Sequence, residues 1–229
     1  MNTAGPSAGH AGGVCCCPLG QRLTGSLTNT LIVRWNGKTW TRVPSPGGLD
    51  TFVSGVAVTS ARSAWAVGEV TGTPPAPLLF HWNGTAWKLA RSPISAGYDF
   101  LNGVAAASSR SVWAVGSDFN TGKLLSMHYN GTAWKQVPTP SSTYSELRGV
   151  ATASGGMAWA VGFTGSKTLI LRWNGKAWTP VPSPSPAGSS SLIGVTAVSA
   201  SSAWAVGCTA GCGSTSKTLI LHWNGTVWK

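Results

Sequence analysis

Residues 158–184 read AWAVGFTGSKTLILRWNGKAWTPVPSP, and the order of signals in that stretch sets the architecture. AWAVG and TLILRW are short runs rich in Val, Ile, Leu and Trp, each of strand length and joined by a loop. Asn174-Gly175 then separates TLILRW from a second strand-like run, KAWTPV. Asn-Gly tolerates the positive φ angles of a type I′ turn, so the spacing predicts a two-residue hairpin. The prolines that close the stretch offer no N–H to a ladder, so they mark a sheet edge and discourage further pairing.

The same phrase occurs five times. Its first aromatic falls at Trp35, Trp82, Tyr129, Trp173 and Trp223, separated by 47, 47, 44 and 50 residues. A WAVG phrase surrounds Trp65, Trp113, Trp159 and Trp204, and each copy follows a Gly-Val run: VSGVAVTS, LNGVAAAS, LRGVATAS or LIGVTAVS. A mid-forties period built of short strands is the signature of a propeller blade. The expectation is an all-β fold, a β-propeller of four-stranded antiparallel blades. Strand A is GVAV-like, strand B is WAVG, strand C is LILRW and strand D is the run after Asn-Gly. In the first copy a type I′ turn pairs Trp35 with Lys38 and Val33 with Trp40. Leu31, Val33, Trp35 and Trp40 then share an apolar face that should pack on a neighbouring blade. Strand A, rich in Gly, Ala and Val, suits the crowded position near the axis.

Five C–D pairs are present but only four A–B pairs. Residues 1–30 form an atypical N-terminal segment, the remainder being blade 1 over 31–49, blade 2 over 50–96, blade 3 over 97–141, blade 4 over 142–187 and blade 5 over 188–229. Five blades close a ring if 1–30 supplies the missing strands; otherwise the chain is an incomplete part of a larger propeller, and a dimer rather than a monomer is expected.

Only 9% of the residues are charged, against about 25% in an ordinary soluble protein. The 16 Lys and Arg against five acids give +11, spread from Arg22 to Lys229 rather than gathered in a block. That spacing argues against a nucleic-acid arm and leaves a general attraction to polyanions. No apolar run reaches the length of a membrane-spanning helix, and the N-terminus lacks the basic start and apolar stretch of a signal peptide.

All 13 tryptophans occupy three phrase positions: one in WAVG and one on each side of Asn-Gly. Interblade packing is the first reading of them. A second reading exposes some ring faces for stacking on sugars, with Trp35, Trp82, Tyr129, Trp173 and Trp223 as candidates. The neighbouring Asn36, Asn83, Asn130, Asn174 and Asn224 would then supply hydrogen bonds. Before each aromatic stands Arg34, His81, His128, Arg172 or His222. These side chains either hydrogen-bond a neighbouring loop or stack on a tryptophan, or they form a ring of pH-sensitive sites for an anionic or polyhydroxyl ligand. Cys208 and Cys212 fit a local disulfide in a B–C loop, and a zinc site shared with Cys15 or Cys17 is the lesser alternative. The Asn-Gly-Thr triplets at Asn83, Asn130 and Asn224 are formal glycosylation sequons, but turn geometry explains Asn-Gly in all five copies. The acids Asp50, Glu69, Asp99, Asp118 and Glu146 fill no recurring slot. No nucleophile elbow or phosphate cradle occurs, so neither catalysis nor a cofactor is expected.

With GVAAxS, AWAVG, LILRWNG and VPSP in sequence, residues 30–229 resemble the tryptophan-rich propeller repeats of bacterial secreted or surface proteins. That resemblance implies an extracellular or cell-surface location. Period and copy number are also similar to those of tachylectin-type five-bladed lectins, a likeness that transfers no binding residues. The function expected is non-catalytic binding, first of carbohydrate at several equivalent sites, with a protein-interaction scaffold and salt-sensitive polyanion binding as alternatives.

Overall fold

The computed structural model describes residues 30–46, 51–70, 75–94, 97–140, 143–186 and 188–229. The expected A–B pair of blade 1 and the Cys15–Cys17 cluster lie outside the described residues. Strands β1 (Ile32–Trp35) and β2 (Trp40–Val43) form a two-stranded hairpin. Three complete sheets follow: β3 (Thr51–Ser60), β4 (Ser63–Val70), β5 (Ala76–Trp82) and β6 (Trp87–Leu89); β7 (Asp99–Ser108), β8 (Ser111–Asp118), β9 (Leu124–Tyr129) and β10 (Trp134–Gln136); β11 (Ser145–Thr152), β12 (Ala158–Thr164), β13 (Lys167–Trp173) and β14 (Trp178–Pro180). The last sheet contains β15 (Ser191–Ser199), β16 (Ser202–Cys208) and β17 (Thr218–Trp223). A single bridge from Trp223 to Trp228 begins its fourth strand. Every pairing is antiparallel between neighbours in sequence. This is an all-β propeller of four-stranded blades, and the innermost strands β3, β7, β11 and β15 pack on one another in succession.

The hairpin register differs from the sequence expectation. Trp35 pairs with Trp40 and Val33 with Arg42, so the loop has four residues rather than two. Within each Asn-Gly pair the glycine takes a positive φ, +99° at Gly37, and the asparagine does not. The asparagine is what enlarges the loop: Asn36 Oδ1 accepts from the amides of Lys38 and Thr39, both at 2.9 Å. The same pair of bonds recurs at Asn83, Asn130, Asn174 and Asn224. A shift of two residues leaves every side chain on its expected face, because strand periodicity is also two.

Close backbone approach explains the glycines of strand A. A Cβ on Gly103 would lie 3.0 Å from the Arg148 carbonyl oxygen, and one on Gly149 2.9 Å from that of Ile193, each in the next blade's inner strand. At Gly194 the nearest neighbour is Val206 of its own blade, at 3.4 Å. Among the described residues, neither flank of the array is covered by a further blade. Trp35 and Trp40 of blade 1 are about half exposed, and so are Trp204, Val206 and Ile220 of blade 5. The Cys208–Cys212 disulfide expected from the sequence is present, tying the last residue of β16 to the loop that follows it.

Candidate functional site

The three seams between blades 2 and 5 are each built from the same four side chains. The strand-B tryptophan of one blade meets the strand-C aromatic and strand-D tryptophan of the next. Trp65 lies 4.7 Å from Tyr129 and 5.0 Å from Trp134, the latter edge-on. Trp113 meets Trp173 at 4.8 Å and Trp178 at 5.0 Å. Trp159 meets Trp223 and Trp228, each at 5.1 Å. Edge-to-face contacts of this kind contribute beyond their buried area.

The fourth member is the residue before the strand-C aromatic, and its position follows from register. Trp65 pairs with His81, Trp113 with His128, Trp159 with Arg172 and Trp204 with His222. The imidazoles lie 4.5, 4.4 and 4.3 Å from their tryptophans. The Arg172 guanidinium stands 5.4 Å from Trp159 and 5.8 Å from Trp223, and Arg34 stands 5.4 Å from Trp82 in the next blade. A second shared position covaries within the chain. Blades carrying histidine put Ser63, Ser111 or Ser202 against Nε2, at 3.4, 3.0 and 3.4 Å. Blade 4, which carries arginine, has Met157 there, and Arg172 Nη2 lies 3.2 Å from its sulfur.

Burial pushes the pKa of His81 and His128 below the usual histidine value. Folded protein then binds fewer protons at these rings than unfolded chain does as pH falls through the histidine range. Their contribution to stability is complete above that range and is lost as the pH drops. The urea midpoint is expected to fall between about pH 7.5 and pH 5.5, around the ordinary histidine pKa, and His128→Gln to flatten that fall. A midpoint that holds steady or rises on acidification would contradict the assignment.

The candidate aromatics are not equivalent in exposure. Trp82 and Trp223 are only 7% and 4% exposed, and their indole N–H groups donate to the carbonyls of Ala61 (3.1 Å) and Ala200 (3.3 Å). Tyr129 and Trp173 are half-buried in the seams, while Trp35 is exposed on the open flank. Packing, the first of the two readings above, accounts for the buried rings. The five asparagines are exposed at the turn tips, with Oδ1 engaged by their own turns.

One indole bond escaped the sequence reading. Trp178 Nε1 donates to Ser126 Oγ at 2.9 Å, both buried. Ser126 holds the strand-C position filled by Leu79 in blade 2 and Ile170 in blade 4. Opposite those apolar residues the Trp134 and Trp228 indoles meet no protein acceptor. The repeat alignment could have flagged this as the lone polar residue in an apolar column.

The opposite end of the blades carries charges of both signs, Asp99, Asp118 and Lys123 among them. Asp99 and Asp118 face each other across β7 and β8. Burial, and then the Asp118 charge, push Asp99 up. Burial also pushes Asp118 up, but hydrogen bonds from Thr121 and Asn120 and the charge of Lys123 outweigh it and hold that carboxyl below its usual value. Among the described residues no group of three His, Cys, Asp or Glu could hold a metal. No helix of the structure is long and apolar enough to cross a membrane.

Seams and sheets together define the class, a β-propeller built from tryptophan-sealed blades. No family model matches the sequence, and no curated protein does. Solved structures do match in fold. The chain is similar to YCF48 bound to a D1 peptide, with TM-score 0.52, 17% identity, and coverage of 88% of this chain and 60% of that one. It is also similar to the six-bladed, fucose-recognising lectin of the fungus Aleuria aurantia, with TM-score 0.54, 14% identity, and coverage of 79% and 62%. The chain therefore spans under two thirds of either neighbour's length.

Proposed function

We propose that the protein is a non-catalytic binding module that engages carbohydrate at several equivalent stations. Repetition is the observation that carries this reading. Three seams place the same ring cluster at the same level, below an exposed Asn-Gly tip. Repeated weak sites raise avidity without added chemistry at any one of them. A propeller lectin among the fold neighbours is consistent with the assignment, and a peptide-bound neighbour supports the runner-up, a protein-interaction scaffold. A glycan array probed with monodisperse labelled protein at physiological salt tests the proposal. Signal on a defined set of glycans is expected. A blank array from well-folded protein would discard the carbohydrate reading and favour the scaffold.

A further inference from the structure

Antiparallel blades have two ends. The A–B and C–D turns lie at one, here the turn end, and the B–C and D–A loops at the other, the loop end. Charge is divided unequally between them. Glu69 and Asp118 close their B strands, while Asp99 and Glu146 open their A strands, so every described acid lies at the loop end. The ion pair found among the described residues, Arg148 to Glu146 at 3.2 Å, is there too. The turn end carries Lys38, Arg62, Arg110 and Lys176 at its tips, with Lys88 and Lys135 one step inward beside His81 and His128. All six are exposed. Lys123, Arg148, Lys167 and Lys217 share the loop end with those four acids, so the net positive charge of the described residues resides mainly at the turn end.

The placement is regular as well as one-sided. Blades 1 and 4 put a lysine, Lys38 or Lys176, directly after Asn-Gly. Blades 2 and 3 have threonine there and put an arginine, Arg62 or Arg110, in the A–B turn instead. Those arginine stems lie over the Asn-Gly turn of the same blade. A Cβ on Gly84 would be 3.2 Å from Arg62 Cβ and Cγ, and one on Gly131 would be 2.9 Å from Arg110 Cγ. Two different strand connections therefore deliver one cation to the tip of each of four successive blades. Like charges held in register by a rigid scaffold oppose one another unless an anion lies among them.

We infer that the turn end is the ligand face and that its ligand is an acidic glycan, one bearing sulfate or carboxylate groups along its chain. The inference rests on the carbohydrate-binding reading and narrows it. Exposed Asn side chains beside each cation supply polar groups for sugar hydroxyls. A single-stranded nucleic acid would want a succession of exposed aromatic platforms, whereas Trp82 and Trp223 beneath these turns are buried and, of the rings flanking Asn-Gly, only the blade 1 pair, Trp35 and Trp40, is exposed.

Dextran sulfate, neutral dextran and a single-stranded oligonucleotide serve as probes, at about 50 mM and 200 mM salt, the range over which phosphate-type contacts weaken steeply. Two double variants carry the same charge change: Arg62→Glu with Arg110→Glu at the turn end, and Lys123→Glu with Lys167→Glu at the loop end. The expected result is salt-sensitive binding of dextran sulfate, weakened at least about tenfold by the turn-end pair and less than about threefold by the other. A tenfold loss is about 1.4 kcal/mol. Equal losses from both pairs would reduce the effect to overall charge and overturn the inference. Tighter binding of the oligonucleotide would replace the glycan with a nucleic acid. Protein that binds neutral array glycans but ignores dextran sulfate keeps the carbohydrate reading and loses this one; binding neither loses both.

Discussion

Trp159→Ala is expected to cost about 3–5 kcal/mol, the range for removing a buried large aromatic, whereas Trp204→Ala should cost under about 1 kcal/mol, as a partly exposed substitution does. Both are strand-B tryptophans of the same WAVG phrase, and both stack on the strand-C residue of their own blade. They differ in what covers the other face. Trp159 has no exposed surface and contacts Trp223 and Trp228 of the following blade. Trp204 is 44% exposed, and its aromatic contact is His222 of its own blade. Urea titrations of the two variants make the comparison, with a common slope confirming that the unfolding unit has not changed. A Trp204→Ala penalty matching that of Trp159→Ala would mean that another blade-like surface covers this flank in solution.

The contrast shows what could be read from the chain before its structure and what could not. Five Asn-Gly phrases at a mid-forties period gave the strands, their order and the blade. The alternation of Val33, Trp35 and Trp40 gave the correct face even though the register moved by two. The turn itself was misjudged because Asn36 Oδ1 captures two backbone amides, and a side-chain cap of that kind does not follow from a dipeptide preference. Burial of the candidate sugar-stacking rings was equally hidden. Trp82 and Trp35 fill one slot in the repeat, yet Trp82 is packed beneath blade 1 while Trp35 has no blade before it among the described residues. Position in the array, rather than identity in the repeat, decides exposure. The even spread of cations along the sequence concealed their segregation for a similar reason. Successive strands reverse direction, so residues scattered along the chain gather at one end of the fold.

Gly162→Ala should be among the most damaging single-methyl additions available, at about 3 kcal/mol or more, the upper part of the range for overpacking. The reason lies in the bulge of β11. Its register slips between Leu147 and Gly149, so two residues of β11 crowd opposite the end of the WAVG phrase. A Cβ on Gly162 would fall inside the van der Waals sphere of the Glu146 carbonyl oxygen and 3.0 Å from Leu147 Cα. Both obstacles are backbone, fixed by the ladder on either side, so neither can swing away as a side chain could. The same collision recurs at Gly68 with Phe52, at Gly116 with Phe100 and at Gly207 with Ser191, which is why every WAVG ends in glycine. A control isolates the cause. Gly175→Ala meets nothing within 4 Å but sits at φ +96°, and should lose only the ~1–2 kcal/mol of a left-handed backbone. Thermal melts that rank Gly162→Ala well below Gly175→Ala would support a backbone collision at the bulge. The reverse order would mean that β11 can flatten, and that the strand-A bulge is not a fixed feature of the blade.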